Sequence, residues 1–216
     1  MRPISKFNEP YELINFKSRR PTAKYEDLYQ NVRREVKKSL IAEQKFFCCY
    51  CEDLINYNTH NPSGEQVITA HIDHFKPQSK YRNITLDYDN LFASCQSTKT
   101  CGHKKDDSEL NIDLLDLSLF TRFSYEFTGE IKGKDPGAQA AIEILNLNEV
   151  NLLTHRKAQI DSSWETFLKI RKSENATIAY FKFLKGDSPV NSSKFVRVPY
   201  SNFVYMAIRQ NLYKLI

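Results

Sequence analysis

Five cysteines fall in two groups, three of them in "FFCCYCEDLI" around position 50 and two in "CQSTKTC". Two residues separate Cys48 from Cys51, a spacing at which a tight backbone knuckle aims both thiolates at one ion. Cys95 and Cys101 complete a tetrahedral set of four sulfurs, which predicts a closed structural zinc site. The five residues between that second pair exceed the usual two to four, so a longer loop has to bring Cys101 round. One dyad alone also reads as a redox pair; two dyads without a thioredoxin-like pattern favour metal. Cys49 is left over and reads as a small buried residue.

A zinc ion closed in by four thiolates has no free coordination position, so any chemistry comes from other groups. The candidates lie among the cysteines: His71, Asp73 and His74 in "HIDHFKPQS", Asn90 in "LDYDNLFASC", and His103 in "CGHKK". Imidazole titrates near neutrality and so can take a proton from water at cellular pH, while a carboxylate is a hard ligand suited to Mg²⁺. Alternation along a strand sends Asp73 and His74 to opposite faces, so the strand has to end or twist there, as Pro77 just beyond allows. His71 shares Asp73's parity. Lys76, Lys80, Lys99, Lys104 and Lys105 lie among them and read first as ordinary surface lysines. The plainer roles are a turn cap for Asp73, a segment cap for Asn90, and a loop position for His60 in "YNTHNPSG".

The elements that must position these groups follow from pattern. The apolar residues Tyr25, Leu28, Tyr29, Val32, Val36 and Leu40 recur at helical spacing with Arg33, Arg34, Lys37 and Lys38 between them, predicting an amphipathic helix over 25–47 that leads into the cysteines. Between Cys48 and Lys105, β-branched runs punctuated by Pro62, Gly64 and Pro77 predict a compact strand-rich unit. "FSYEFTGEIKG" reads as a hairpin turning near Gly129, and Pro136 opens helices over about 137–147, 149–172 and 202–215.

A chain of 216 residues that is 41% hydrophobic, with 14 Phe and 12 Tyr, builds a folded core. It contains neither an apolar run of membrane length nor a secretory leader, so a reducing cytoplasm is expected. Residues 1–47 carry eleven Lys/Arg against six Asp/Glu, and the rest of the chain balances at 20 against 20, so the net charge of +5 sits wholly in the N-terminal segment. That segment reads as a basic arm for phosphate or an acidic surface, or as solvated helix faces.

The order of zinc dyad, Asp-His, Asn and a polar residue after the last cysteine, met here by "CCYC", "DHF", "DN" and "CGHKK", resembles the HNH endonucleases. "LIAEQKFFCCYCE", "HIDHFKPQSKY", "LDYDNLFASC" and the later "AIEILNLN" narrow the likeness to the HNH nucleases of Septu-type and retron-associated anti-phage defence, over about residues 1–160. The resemblance implies an α+β fold in three parts. These are a basic helical arm at 1–47, a ββα-metal nuclease core with its zinc knuckle at 48–110, and a hairpin with a mainly helical region at 111–216.

It also implies roles. His74 would activate water, Asp73 would hold one Mg²⁺ or Mn²⁺, and Asn90 would orient the loop carrying the histidine. The family usually places a His or Asn directly after the last zinc cysteine, where this chain has Gly102. The glycine's freedom of backbone angle suggests that His103 swings into that place as second ligand, with Asp106 and Asp107 as rivals. Lys76, Lys104 and above all Lys105 would contact nucleic acid, DNA or tRNA. Implied partners are an ABC or SMC-like ATPase, docked on the apolar face of helix 25–47, and a retron reverse transcriptase with its RNA–DNA hybrid. A chain with six glycines and no phosphate-binding loop does not bind ATP itself. The alternative to a metal-dependent nuclease is a zinc-stabilised module that only binds nucleic acid or a partner.

Overall fold

The computed structural model describes residues 1–55, 59–60, 66–67, 69–170, 172–175, 177–178, 180 and 204–207. Its elements run α1 (Tyr11–Arg19), α2 (Gln30–Glu43), β1 (Thr59–His60), β2 (Gln66–Val67), β3 (Ala70–His74), β4 (Leu91–Cys95), α3 (Cys101–Lys105), β5 (Phe123–Tyr125), β6 (Ile131–Gly133), α4 (Pro136–Ile144) and α5 (Val150–Ile170). The strands form three two-stranded sheets, each antiparallel: β1 with β2, β3 with β4, and β5 with β6. The fold is therefore α+β with small sheets.

Val32, Val36 and Leu40 share one face of α2 and are buried, as their spacing predicts, and Ile41 is buried as well. The helix is shorter than that spacing suggests. Tyr25–Asp27 form a single 3₁₀ turn, and Leu28 and Tyr29 are extended before α2 begins. Arg33 holds the turn by donating from Nη2 to the carbonyls of Tyr25 (3.0 Å) and Glu26 (2.9 Å). At the other end Lys45 and Phe46 take left-handed backbone angles, which stops the helix before the cysteines. Gln44 then substitutes for a missing strand beside β4. Its amide accepts from Ala93 N (2.8 Å) and donates to Ala93 O (2.8 Å).

The N-terminal segment is no free arm. Met1, Ile4, Leu13 and Phe16 belong to the core cluster. Buried Glu43 fastens the segment, accepting from Lys6 Nζ (2.8 Å), Phe7 N (2.9 Å) and the Tyr88 hydroxyl (2.9 Å). Because the apolar face of α2 lies inside this same core, the expected docking of an ATPase on that face is corrected: the chain itself covers it. His60 is likewise not in a loop, since β1 pairs it with Gln66.

Downstream the expectations hold more closely. Gly129, at φ 87°, turns the β5–β6 hairpin, and Asp135 caps α4 by accepting from Ala138 N (2.9 Å), with Pro136 at the first helical position. Buried Arg156 on α5 donates to Leu147 O (2.7 Å). Of the helix expected over 202–215, residues 204–207 are described and are helical; the rest lies outside the described residues. No described helix is long and apolar enough to cross a membrane.

Candidate functional site

The four predicted zinc ligands converge. The sulfurs of Cys48, Cys51, Cys95 and Cys101 all lie within 4.8 Å of one another, and Cys51 Sγ stands 3.9 Å from Cys95 Sγ. Four sulfurs each ~2.3 Å from a tetrahedral zinc lie ~3.8 Å apart, so this donor set fits the ion. Burial alone would discourage ionisation of Cys48, but hydrogen bonding from Cys101, Cys49, Cys51 and Cys95 pulls its thiol well below the usual range. Hydrogen bonding to Cys101, Cys48 and Cys95 pushes Cys51 well above it. Sulfurs this close do not all ionise unaided, and a dication is the counter-charge that would hold them as thiolates.

The wide second spacing is accommodated as the sequence required. The loop after Cys95 is pinned by Asn146, which donates to Lys99 O (3.0 Å), and Cys101 N donates to Leu145 O (2.9 Å). Cys101 itself sits at φ 60°, an uncommon angle for a residue with a side chain, and one that persists at sites over-determined by their surroundings. Cys49 is buried outside the cage, its thiol pushed well up by burial.

Beside the cage, β3, α3 and the residues that follow each form a cleft of about 220 Å³ lined by His71, Asp73, His74, Gly102, His103, Asp106 and Asp107, among others. Both Asp73 and His74 reach it, because β3 ends at His74. Asp73 is 8% exposed. Burial raises its pKa, opposed by the Lys105 ammonium and the Tyr50 hydroxyl. Tyr50 donates to Asp73 Oδ2 at 2.6 Å and Lys105 Nζ lies 3.5 Å from the same oxygen, so both partners are on one side of the carboxylate.

His74 is 4% exposed, and its Nε2 lies 2.9 Å from Thr85 O. A carbonyl only accepts, so Nε2 carries the proton and Nδ1 keeps the lone pair. Tyr25 packs edge-on against the ring at 4.5 Å. Burial lowers the His74 pKa, with the Thr85 carbonyl and Asp73 opposing. These features describe a neutral imidazole with one nitrogen committed to the backbone and the other available to accept a proton.

Asn90 is not among the residues that line the cleft. Its Oδ1 accepts from Lys76 N (2.7 Å), and its Nδ2 donates to Lys76 O (3.1 Å) and Ile84 O (3.4 Å). It clamps the segment that follows His74 and the residue just before Thr85, which makes it a positioning residue.

Other expected groups are placed differently. Lys105 does not stand at the mouth of the cleft. It is 1% exposed and donates to His74 O (2.8 Å), because the α3 turn points it into the space beneath Asp73. Lys104, Lys99 and Lys80 are exposed and Lys76 is half-buried; Lys80 and Lys76 face Glu109 at 3.4 and 3.9 Å. His103 is exposed, with Nε2 3.1 Å from Gln96 Oε1 and its ring 4.0 Å from that of His71. Gly102 does not use a glycine-only backbone angle, so the reason expected for His103's placement is not present. His71 lines the cleft beside Asp73, its pKa lowered to about 4 by burial and by neighbouring His103. Sequence reading missed Tyr50, Thr85 and Tyr25. Only Tyr50 carried a signal, as the residue flanked by cysteines in the knuckle.

Three curated proteins resemble the chain. "Retron Vc95 putative HNH endonuclease" of Vibrio cholerae serotype O1 biovar El Tor is 29% identical over 180 residues, covering 74% of this chain and 83% of that protein. "Retron Ec83 putative HNH endonuclease" of Escherichia coli is 27% identical over 73% of the chain and 59% of the relative. "Septu protein PtuB" of Bacillus thuringiensis is 24% identical over 58% of the chain and 46% of the relative. The chain thus spans about half the length of the latter two. No family model matches it. The names of these relatives agree with the likeness read from the sequence: two are retron putative HNH endonucleases and the third is a Septu protein.

Proposed function

We propose that the chain is an HNH endonuclease of ββα-metal architecture that hydrolyses phosphodiester bonds in DNA or tRNA as the effector of a bacterial anti-phage system, in concert with an ATPase partner. The observation that carries this reading is the fixed tautomer of His74. With Nε2 held on the Thr85 carbonyl, Nδ1 faces proton transfer as a neutral base, next in sequence to the buried carboxylate of Asp73.

A phosphodiester is attacked slowly because water is a poor nucleophile and the phosphate is negatively charged. His74 would withdraw the proton from attacking water at Nδ1. Asp73 would hold a divalent cation, which supplies charge to steady the phosphate. Lys105 keeps the Asp73 carboxylate balanced and ties down the His74 carbonyl. Asn90 keeps the Thr85 segment in register, and exposed Lys104 with half-buried Lys76 would meet the backbone of the nucleic acid. Zinc held by Cys48, Cys51, Cys95 and Cys101 would tie the end of β4 to the start of α3 and would take no part in the chemistry.

The test is cleavage of plasmid DNA and of tRNA by the purified chain, alone and with its ATPase, in Mg²⁺ or Mn²⁺. A His74→Ala variant with full zinc content should lose on the order of a hundred- to ten-thousand-fold in rate. Binding of both substrates without cleavage by the wild type under every condition would instead establish the binding-module alternative.

A further inference from the structure

Gly102 occupies the position where nucleases of the resembled family place a His or Asn, and the space such a side chain would fill is already taken. A β-carbon built on Gly102 would stand 2.5 Å from His71 Nε2, 3.0 Å from Ser94 Oγ and 3.1 Å from Asp73 Cγ. The first is shorter than any ordinary β-carbon contact, and the other two are tight enough that the neighbours would have to give by a few tenths of an ångström. An imidazole nitrogen and a carboxylate therefore converge on one point at the first turn of α3. They come from the same strand: His71 and Asp73 are two apart on β3 and point to one face.

We propose that His71 Nε2 is the second protein ligand to the cation of the cleft, with Asp73 as the first, and that Gly102 is glycine so that His71 can enter. The proposal rests on the nuclease reading of the same cleft. His71 replaces from the strand a ligand that would otherwise come from the helix. The arrangement around it is consistent with that role. The His71 backbone is held in register opposite Ser94, and Ser94 Oγ accepts from Gly102 N at 3.1 Å, which fixes the start of α3 against the strand. His71 Nδ1 is buried without a hydrogen-bond partner of full geometry, and the protein group that engages the ring on that side is the backbone of Cys95. His103 stacks on His71 while its own Nε2 is turned to Gln96, which makes it a cover for the ligand.

A pair made of one nitrogen and one oxygen also names the class of cation. Imidazole is a poor match for Mg²⁺, which prefers an all-oxygen shell, and a better one for first-row transition metals. The cleft should therefore rank Mn²⁺ and Ni²⁺ above Mg²⁺.

The experiment uses the full chain with its zinc in place, confirmed by elemental analysis, and Mn²⁺ as the probe. Titration followed by electron paramagnetic resonance gives affinity, and pulsed measurements detect nitrogen-14 bound to manganese. Wild type should show the nitrogen signal. His71→Ala should lose it and bind Mn²⁺ roughly ten- to a hundredfold more weakly, the range known for groups that merely support a ligand. His103→Ala should keep both. Gly102→Asn should bind weakly, because its β-carbon displaces His71, and the double variant His71→Ala with Gly102→Asn should recover Mn²⁺ binding. Nitrogen coupling and affinity unchanged in His71→Ala would overturn the proposal, as would their loss in His103→Ala alone. A wild type that cleaves while His71→Ala binds Mn²⁺ normally overturns this inference and leaves the nuclease reading standing. Nitrogen-coordinated Mn²⁺ with no cleavage of any substrate does the reverse.

Discussion

Tyr50 donates a 2.6 Å hydrogen bond to Asp73, and this contact joins the cysteine knuckle to the carboxylate of the cleft. Tyr50 lies between Cys48 and Cys51, so the turn that brings these two sulfurs into the four-cysteine cluster also aims its hydroxyl. Removing that hydroxyl in Tyr50→Phe leaves Lys105 as the remaining named partner of a buried carboxylate. A hydrogen bond to a charged group contributes ~1.5–3 kcal/mol, so the urea midpoint should fall by a corresponding amount while zinc content stays at one per chain. Cleavage should fall with it, and an unchanged midpoint would show that the hydroxyl does not support Asp73.

The cage itself should be indispensable. Cys95→Ser removes a ligand from a unit whose strands β3 and β4 are five residues each, too small to stand without staples. It should also release the left-handed Cys101 from the geometry that holds it. Elemental analysis should find zinc lost, and circular dichroism should find the chain unfolded or molten. A folded, zinc-free Cys95→Ser protein would show that the cluster is not a structural metal site.

Much of this was legible in the sequence because it depends on local spacing. The knuckle, the strand ending at His74, the hairpin at Gly129 and the Asp135–Pro136 helix start are each set by residues within a few positions of one another. What was not legible depends on contacts across the chain. Helix α1 has no side-chain cap after Pro10, and only Leu13 and Phe16 bury against the core, so its pattern is faint. The break before α2 was hidden because Leu28 is buried outside the helix at the spacing a helix would give it. Lys105 reads as a surface lysine until Asp73 and the His74 carbonyl are found above it, and Thr85 offers only a backbone carbonyl, which no residue type announces.

The two adjacent lysines of α3 should therefore part company. Lys105→Met strips the counter-charge from buried Asp73, and breaking a buried pair in this way costs about 3–5 kcal/mol. Lys104→Ala is exposed and should leave stability within about 0.5 kcal/mol. It should instead weaken nucleic-acid binding and reduce the slope of log affinity against log salt by about one. Urea titration and salt-dependent binding separate the two. A Lys105→Met protein as stable as wild type would contradict its inward placement.

The pH dependence follows from the burial of His74, which lowers its pKa from an ordinary 6.5. A general base acts when neutral, so the acid limb of the cleavage profile should lie below pH 6.5. The same shift affects stability. Below pH 6.5 the unfolded imidazole takes up a proton that the folded one still refuses, so the unfolded state binds more protons and stability falls as pH falls. His71, lowered to about 4, adds in the same direction across the window from 6.5 down to about 4. Urea midpoints measured at intervals through this window should decline toward acid, and more shallowly in His74→Ala. Asp73, raised by burial, opposes this decline in both proteins, so a slope no steeper in wild type than in His74→Ala would mean that His74 is not held neutral in the folded chain.

Asn90 offers the sharpest separation of positioning from chemistry. Its amide grips Lys76 from both sides and reaches Ile84, so it fixes the chain just after His74 and just before the Thr85 carbonyl. Asn90→Ala should release that carbonyl, and with it the constraint that keeps the His74 proton on Nε2. Nitrogen-15 shifts of the imidazole would report this directly as a mixture of tautomers where wild type shows one. The turnover rate should fall about as far as the minor tautomer rises, while zinc content, Mn²⁺ affinity and KM stay close to wild type. Asn90→Asp should rescue little, because a carboxylate accepts from Lys76 N but cannot donate to the two carbonyls. A single, unchanged tautomer in an Asn90→Ala protein that nonetheless fails to cleave would move Asn90 out of this positioning role and closer to the reacting groups.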